Sequence, residues 1–202
     1  MQRSPLVVTP LIKGVRPHKL PIQESVHQPV LQFWFHETAP SQWWKVDAEF
    51  DRLITERFGE VHTRAAQGEL YGWRTDPGGR LAEVIVLDQF SRNIYRGSQR
   101  AFSTDVLALA LAQEAVAAKA DLTLPSEERA FFYMPYMHSE SRVIHEVAER
   151  LFRENAQNTH DFELRHKAII DRFGRYPHRN AVLGRESTPE ELAFLAGPGS
   201  SF

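Results

Sequence analysis

The chain has no cysteine, which excludes thiol nucleophiles, thiolate metal sites and disulfides and agrees with a reducing compartment. Imidazole and carboxylate remain as the strong metal ligands. An excess of positive charge is also missing: a net charge of -2 over 202 residues lacks the electrostatic footprint of a general nucleic-acid binder. Long apolar runs are absent, and Pro5, Pro10, Pro17 and Pro21 interrupt the short ones near the N-terminus, so a cytoplasmic protein without signal core or membrane span is expected. There is no glycine-rich phosphate loop, dinucleotide fingerprint or Gly-x-Ser-x-Gly elbow, and no cofactor is expected. Sustained apolar-polar alternation is missing too, which leaves helices as the building elements.

What is present is enough apolar content, 42%, to bury one substantial core. Residues 1–28 hold prolines and scattered charges without a period and read as an extended arm; residues 29–202 read as a single all-α domain. Helical patterns are expected over residues 30–36, over 46–58 with Asp47 or Ser41 as cap and Gly59 at the end, and over 80–95 after the turn Asp76-Pro77-Gly78-Gly79. Ser103 or Thr104 is placed to cap a helix to residue 119, and a shorter one opens at Pro125-Ser126 and breaks near Met134-Pro135. Patterns over 139–155, with Ser139 as cap, and 161–173, closed by Gly174, form a pair. Thr188-Pro189-Glu190-Glu191 carries the signature of a capping box for a last helix. Short helices following one another predict antiparallel pairs in a compact, repeat-like array.

The polar residues are concentrated behind the apolar run Leu81–Leu87, where residues 88–105 crowd Asp88, Gln89, Arg92, Asn93, Arg96 and Arg100. A partial echo follows: Arg92-Asn93-x-x-x-Gly97 is matched by Arg179-Asn180-x-x-x-Gly184, and each copy leads through a Ser-Thr pair into a helical pattern. A second echo, Glu56-Arg57-Phe58-Gly59 and Asp171-Arg172-Phe173-Gly174, needs no more than an apolar anchor before a helix-ending glycine. Helical phase puts Leu81, Val84, Ile85, Asp88, Arg92 and Arg96 on one stripe, Glu140 near the inward centre of Val143, Ile144, Val147 and Leu151, and His166 amid Phe162, Ile169, Ile170 and Phe173.

Burying Asp88, Arg92, Glu140 and His166 unpaired would cost several kcal/mol per ion, so they must pair or line a hydrated pocket. Arg92, Arg96, Arg100, Arg175 and Arg179 outnumber the carboxylates available to fork with them, and the surplus suits a carboxylate or phosphate ligand. The bland account is an internal network of caps and salt bridges that sets helix crossings. The candidate binding residues are Asp88, Gln89, Arg92, Asn93, Arg96, His166, Arg175, His178, Arg179 and Asn180, with His138 and Glu140 as candidate acid/base groups. Phe33, Trp34, Phe35, Trp43, Trp44 and Trp73 read as scaffold aromatics.

Three blocks, residues 87–97, 133–140 and 172–180, together with Phe33-Trp34-Phe35 and Trp43-Trp44, resemble the signatures of a bacterial family, domain of unknown function 924, over about residues 30–195. The resemblance implies an all-α, right-handed fold similar to tetratricopeptide-repeat proteins and supplies no chemistry. Ser91 stands where the family usually has proline, and His145-Glu146 where an Asp-Gln or similar pair is common.

The chemistry therefore rests on residue types. His138-x-Glu140 with His166 and His178 has metal-compatible donors, but that spacing separates the two side chains on a helix, and no metal site is assigned. His138-Ser139-Glu140 does not make a triad, because adjacent triad residues rarely converge. Two classes remain: a pocket for a small anionic molecule or a peptide carboxylate, with acid/base or hydrolytic chemistry, and a helical scaffold gripping a partner peptide with the polar blocks purely structural.

Overall fold

Helices start where a short polar side chain meets free backbone N–H groups, and the computed structural model, which describes residues 27–200, shows this at three points. The Asp47 carboxylate accepts from the Glu49 and Phe50 amides and caps α2, Ala48–Ala66; Ser41 lies in a separate turn, Pro40–Gln42. Asp76 caps α3, Pro77–Ile85, through the Gly79 amide. Thr188 and Glu191 close a full capping box at the start of α9, Pro189–Leu195. Before these, α1, Gln28–Leu31, runs into a π-turn over Gln32–Glu37. After α3 a π segment, Val86–Phe90, continues into α4, Ser91–Ile94. The remaining helices are α5, Asp105–Ala117, α6, Ser126–Met137, α7, Arg142–Asn155, and α8, Gln157–Phe173. No strand occurs among the described residues, so the fold is all-α.

The α3–α4 helix is the axis of the core, with Leu81, Ala82, Val84, Ile85, Val86, Leu87 and Phe90 all buried. Around it pack α1, α2, α5 and α6; α7 then packs on α6 and α8 on α7. Each large apolar side chain buried here contributes roughly 1.5–3 kcal/mol. Gly79 permits the entry to this helix: a Cβ there would stand 2.0 Å from the Trp73 carbonyl oxygen.

Several expectations are corrected. α2 runs straight through Gly59, because burying Ile54, Phe58, His62 and Ala65 outweighs the roughly 1 kcal/mol cost of an internal glycine. α6 passes through Pro135 and ends at Met137; the lost N–H falls in the last turn, where the flanking side chains are all buried. α7 starts at Arg142 after Ser141, leaving Ser139 and Glu140 in the preceding loop. Its buried stripe is His145, Ala148, Leu151 and Phe152, while Val143 is 73% exposed. Phe162 is also exposed, and Glu163 takes the inward position on α8. Of the arm expected over residues 1–28, only His27 and Gln28 are described: His27 is buried beside Asp76 and Gln28 begins α1; the rest lies outside the described residues.

Candidate functional site

The π segment is where local structure begins to build a site. It lies wholly inside the buried axis of the core, and its consecutive residues Asp88 and Gln89 are both buried. The Asp88 carboxylate accepts from Gln89 Nε2 at 2.6 Å and pairs with Arg92 Nη1 at 3.2 Å, one helical turn on. From the C-cap of α6, His138 brings Nδ1 to 2.8 Å from Asp88 Oδ1. Arg92 also forks onto Asp105, at 3.0 and 3.1 Å, and donates to the Asp88 carbonyl at 2.6 Å. Asp105, the first residue of α5, thus ties that helix to α4.

A cavity of about 340 Å³ opens over this cluster. α4 and the corner after it line it with Arg92, Asn93 and Arg96, and Gln89 reaches it from the π segment. His138 and His166 contribute imidazoles from α6 and α8, and the turn Pro177–Arg179 contributes His178 and Arg179. Eight of the twelve candidate residues therefore meet at one concavity, and Asp88 supports it from beneath. The two Arg-Asn corners both end on glycines with positive φ, Gly97 at 75° and Gly184 at 66°, a backbone that glycine adopts without cost. Only the first Asn faces the cavity; Asn93 donates to Asp51, which also forks with Arg96.

Glu140, Arg175 and Asn180 go elsewhere. Glu140 forks with Arg185, at 2.6 and 2.9 Å, and accepts from the Tyr176 amide at 2.8 Å. Arg175 forks with Glu191, at 2.6 and 2.8 Å, while Asn180 donates to Glu191 and Ser187 and accepts from Arg185. These groups brace the segment after α8, so Glu140, a candidate acid/base group, does not line the cavity with His138 and is instead engaged by the Arg185 fork and the Tyr176 amide. Arg185 and Asp105, absent from the candidate set, are the partners that decide this division. Asp105 is five residues beyond Arg100, inside the crowded segment, but nothing in its spacing marks Arg179 as its second partner.

The aromatic reading is corrected in part. Phe33 and Trp34 are core, but Trp43, Trp44, Phe102 and Phe162 line the cavity. Trp44 and Phe162 stack with centroids 6.5 Å apart although both are more than half exposed.

Electrostatics separate the groups. Burial acts to raise the Asp88 pKa, yet Arg92 and His138 hold the carboxyl well below its ordinary range. His138 is lowered by burial and by Arg92, so it is neutral at neutral pH. With Asp88 ionised, its Nδ1 carries the proton and Nε2 the lone pair. Burial lowers His166 to about 3 and His178 to about 4. Arg179, only 5% exposed, is lowered to about 10 by burial and by Arg92. Its guanidinium lies 4.7 Å from the centre of the Phe102 ring and 4.5 Å from that of Tyr176. Among the described residues it has one ion-pair contact, 3.5 Å to Asp105, and its Nε meets no acceptor.

The two departures from the resembled family lie outside the cavity. Ser91 Oγ donates to the Leu87 carbonyl and contacts His62 Nε2 and Thr104 Oγ1, both at 2.7 Å, in a buried cluster. His145 is fully buried, with Nδ1 2.8 Å from Glu163 Oε1 and Nε2 donating to the Ser139 carbonyl. No group of three or more His, Asp or Glu side chains is arranged to hold a metal ion among the described residues, and no described helix is long and apolar enough to cross a membrane.

No curated protein matches the chain. A solved structure of a protein of unknown function from Agrobacterium tumefaciens is similar to it, with 36% identity, a TM-score of 0.81, and coverage of 85% of this chain and 97% of that one. A model of bacterial proteins of unknown function, DUF924, matches residues 30–199. With most of its length matched and its architecture shared with the Agrobacterium protein, the chain belongs to the DUF924 family.

Proposed function

We propose that the cavity binds a small anionic ligand, a carboxylate or phosphate, and that His138 moves a proton on it. The observation that carries this reading is Arg179. A buried guanidinium with one 3.5 Å ion pair leaves several donors unused, and a guest anion in the adjoining cavity would satisfy them. Arg92, by contrast, is saturated by Asp88 and Asp105 and acts as the rigid partner that keeps Asp105 from serving Arg179 alone. His138, oriented by Asp88 through Nδ1, offers Nε2 as a general base, either to a bound ligand or to a water beside it. The scaffold alternative accounts for the Glu140–Arg185 and Arg175–Glu191 braces but gives no reason to leave Arg179 under-satisfied.

The test is a thermal-shift screen of carboxylates and phosphates on the wild type and on Arg179→Met. At a hundred times its dissociation constant a ligand contributes about 2.7 kcal/mol, or roughly 5–10 °C for a domain of this size. Hits that vanish in Arg179→Met support the reading; hits of equal size in both proteins, or none in the wild type, refute it.

A further inference from the structure

The aromatic wall of the cavity has a second side. Trp43, Trp44, Met134 and Phe162 also line an adjoining chamber of about 350 Å³, whose wall includes Phe131 and the polar Glu127 and Asn158. The first cavity and this one therefore share the Trp44–Phe162 stack as a wall, and Trp44 stacks on Phe131 as well, centroids 6.3 Å apart. Although they stack on each other, these two large aromatic side chains remain more than half exposed between the two chambers, apolar surface open to a guest.

Charge at the polar end limits the head group. Arg92 and Arg179 are balanced by Asp88 and Asp105, and Arg96 by Asp51. The histidines facing the cavity are held neutral by burial. Lys45, which also lines the cavity, adds one positive charge. Such a site has room for one negative charge and compensates a dianion poorly.

We infer that the guest is a monocarboxylate with an apolar tail: the carboxylate meets Arg179, and the tail crosses the Trp44–Phe162 stack into the second chamber. This rests on the anion-site reading above and adds the tail and the single charge. Together the chambers suit a ligand whose polar end fixes orientation and whose apolar body supplies most of the contact area.

Isothermal titration of the full chain with butanoate, hexanoate, octanoate and decanoate, with octan-1-ol and inorganic phosphate as controls, tests it. Affinity should rise by about fourfold per added methylene until the second chamber is full. Octan-1-ol should bind at least about tenfold more weakly than octanoate, since it lacks the charge that Arg179 pairs with. The double variant Trp44→Ala/Phe162→Ala should flatten the series, so that octanoate gains little over butanoate. A flat series in the wild type, or phosphate binding more tightly than butanoate, overturns the tailed monocarboxylate. If butanoate or phosphate still binds in an Arg179-dependent way, the anion-site reading stands without it. If octan-1-ol matches octanoate, the tailed monocarboxylate falls; if no carboxylate and no phosphate binds, both readings fall.

Discussion

Arg92 and Arg179 share one carboxylate, Asp105, but on unequal terms: Arg92 forks onto it at 3.0 and 3.1 Å, whereas Arg179 reaches only one oxygen, at 3.5 Å. Two guanidinium groups thus surround a single acid, one saturated and one not.

This inequality predicts opposite outcomes for equivalent substitutions. Arg92→Met leaves the buried Asp88 carboxylate short of its cation and should cost about 3–5 kcal/mol. Arg179→Met leaves Asp105 with its fork intact and places a methionine between Phe102 and Tyr176, so stability should change by less than about 1 kcal/mol. Urea unfolding of both variants decides it; equal losses would contradict the assignment.

Asp88 should set the tautomer of His138. In the wild type, imidazole 15N chemical shifts are expected to show Nδ1 protonated and Nε2 bare at pH 7.5. Asp88→Asn replaces an acceptor with a group that can also donate, and loses the pairing with Arg92; a mixture of tautomers and a stability loss of about 3 kcal/mol should follow. An unchanged Nδ1–H signal would show that another group orients the ring.

Stability should fall on acidification from pH 6.5 toward 4. Above 6.5 the buried His166 and His178 are neutral in both folded and unfolded chains. Below it the unfolded chain takes up protons while the folded one resists, down to about 3 and about 4 respectively. Each group contributes a slope of about 1.4 kcal/mol per pH unit across that window. Glu163, raised by burial, opposes this, because its folded form binds a proton first as the pH drops. Asp88, held low chiefly by Arg92 and His138 against burial, adds to the loss only once the pH enters the ordinary carboxylate range. Denaturant midpoints at pH 7, 6 and 5 should decline, and His178→Gln should flatten the decline; a level profile would contradict it.

Glu140 should behave as a structural residue. Glu140→Ala releases Arg185 and the Tyr176 amide and should cost about 1–3 kcal/mol, without changing butanoate affinity beyond about twofold. A large loss of affinity at unchanged stability would return it to the site.

Gly79→Ala tests the entry to the central helix. Its Cβ would overlap the Trp73 carbonyl, and a backbone atom cannot move aside as a side chain can. A loss of about 3 kcal/mol or failure to fold is expected, with no effect confined to the cavity.

The amino-acid sequence by itself determined the all-α class, because helical spacing and end signals are local: Asp47, Asp76, the Thr188–Glu191 box and Gly174 are used as their residue types require. It also determined that polar groups would enter the interior near Asp88, Arg92 and His166. Tertiary structure decided the rest. The inward stripe of α7 admits His145 beside Ala148, Leu151 and Phe152, because a hydrogen-bond partner on another helix, Glu163, makes a polar position a buried one. Phe162 and Trp44 face the cavity because the packing of α8 and the loop before α2 sets them there. Which arginine is saturated depends on Asp105, Glu191 and Glu140 approaching from separate elements, and such pairings are set by distances across the fold that no spacing along the chain encodes.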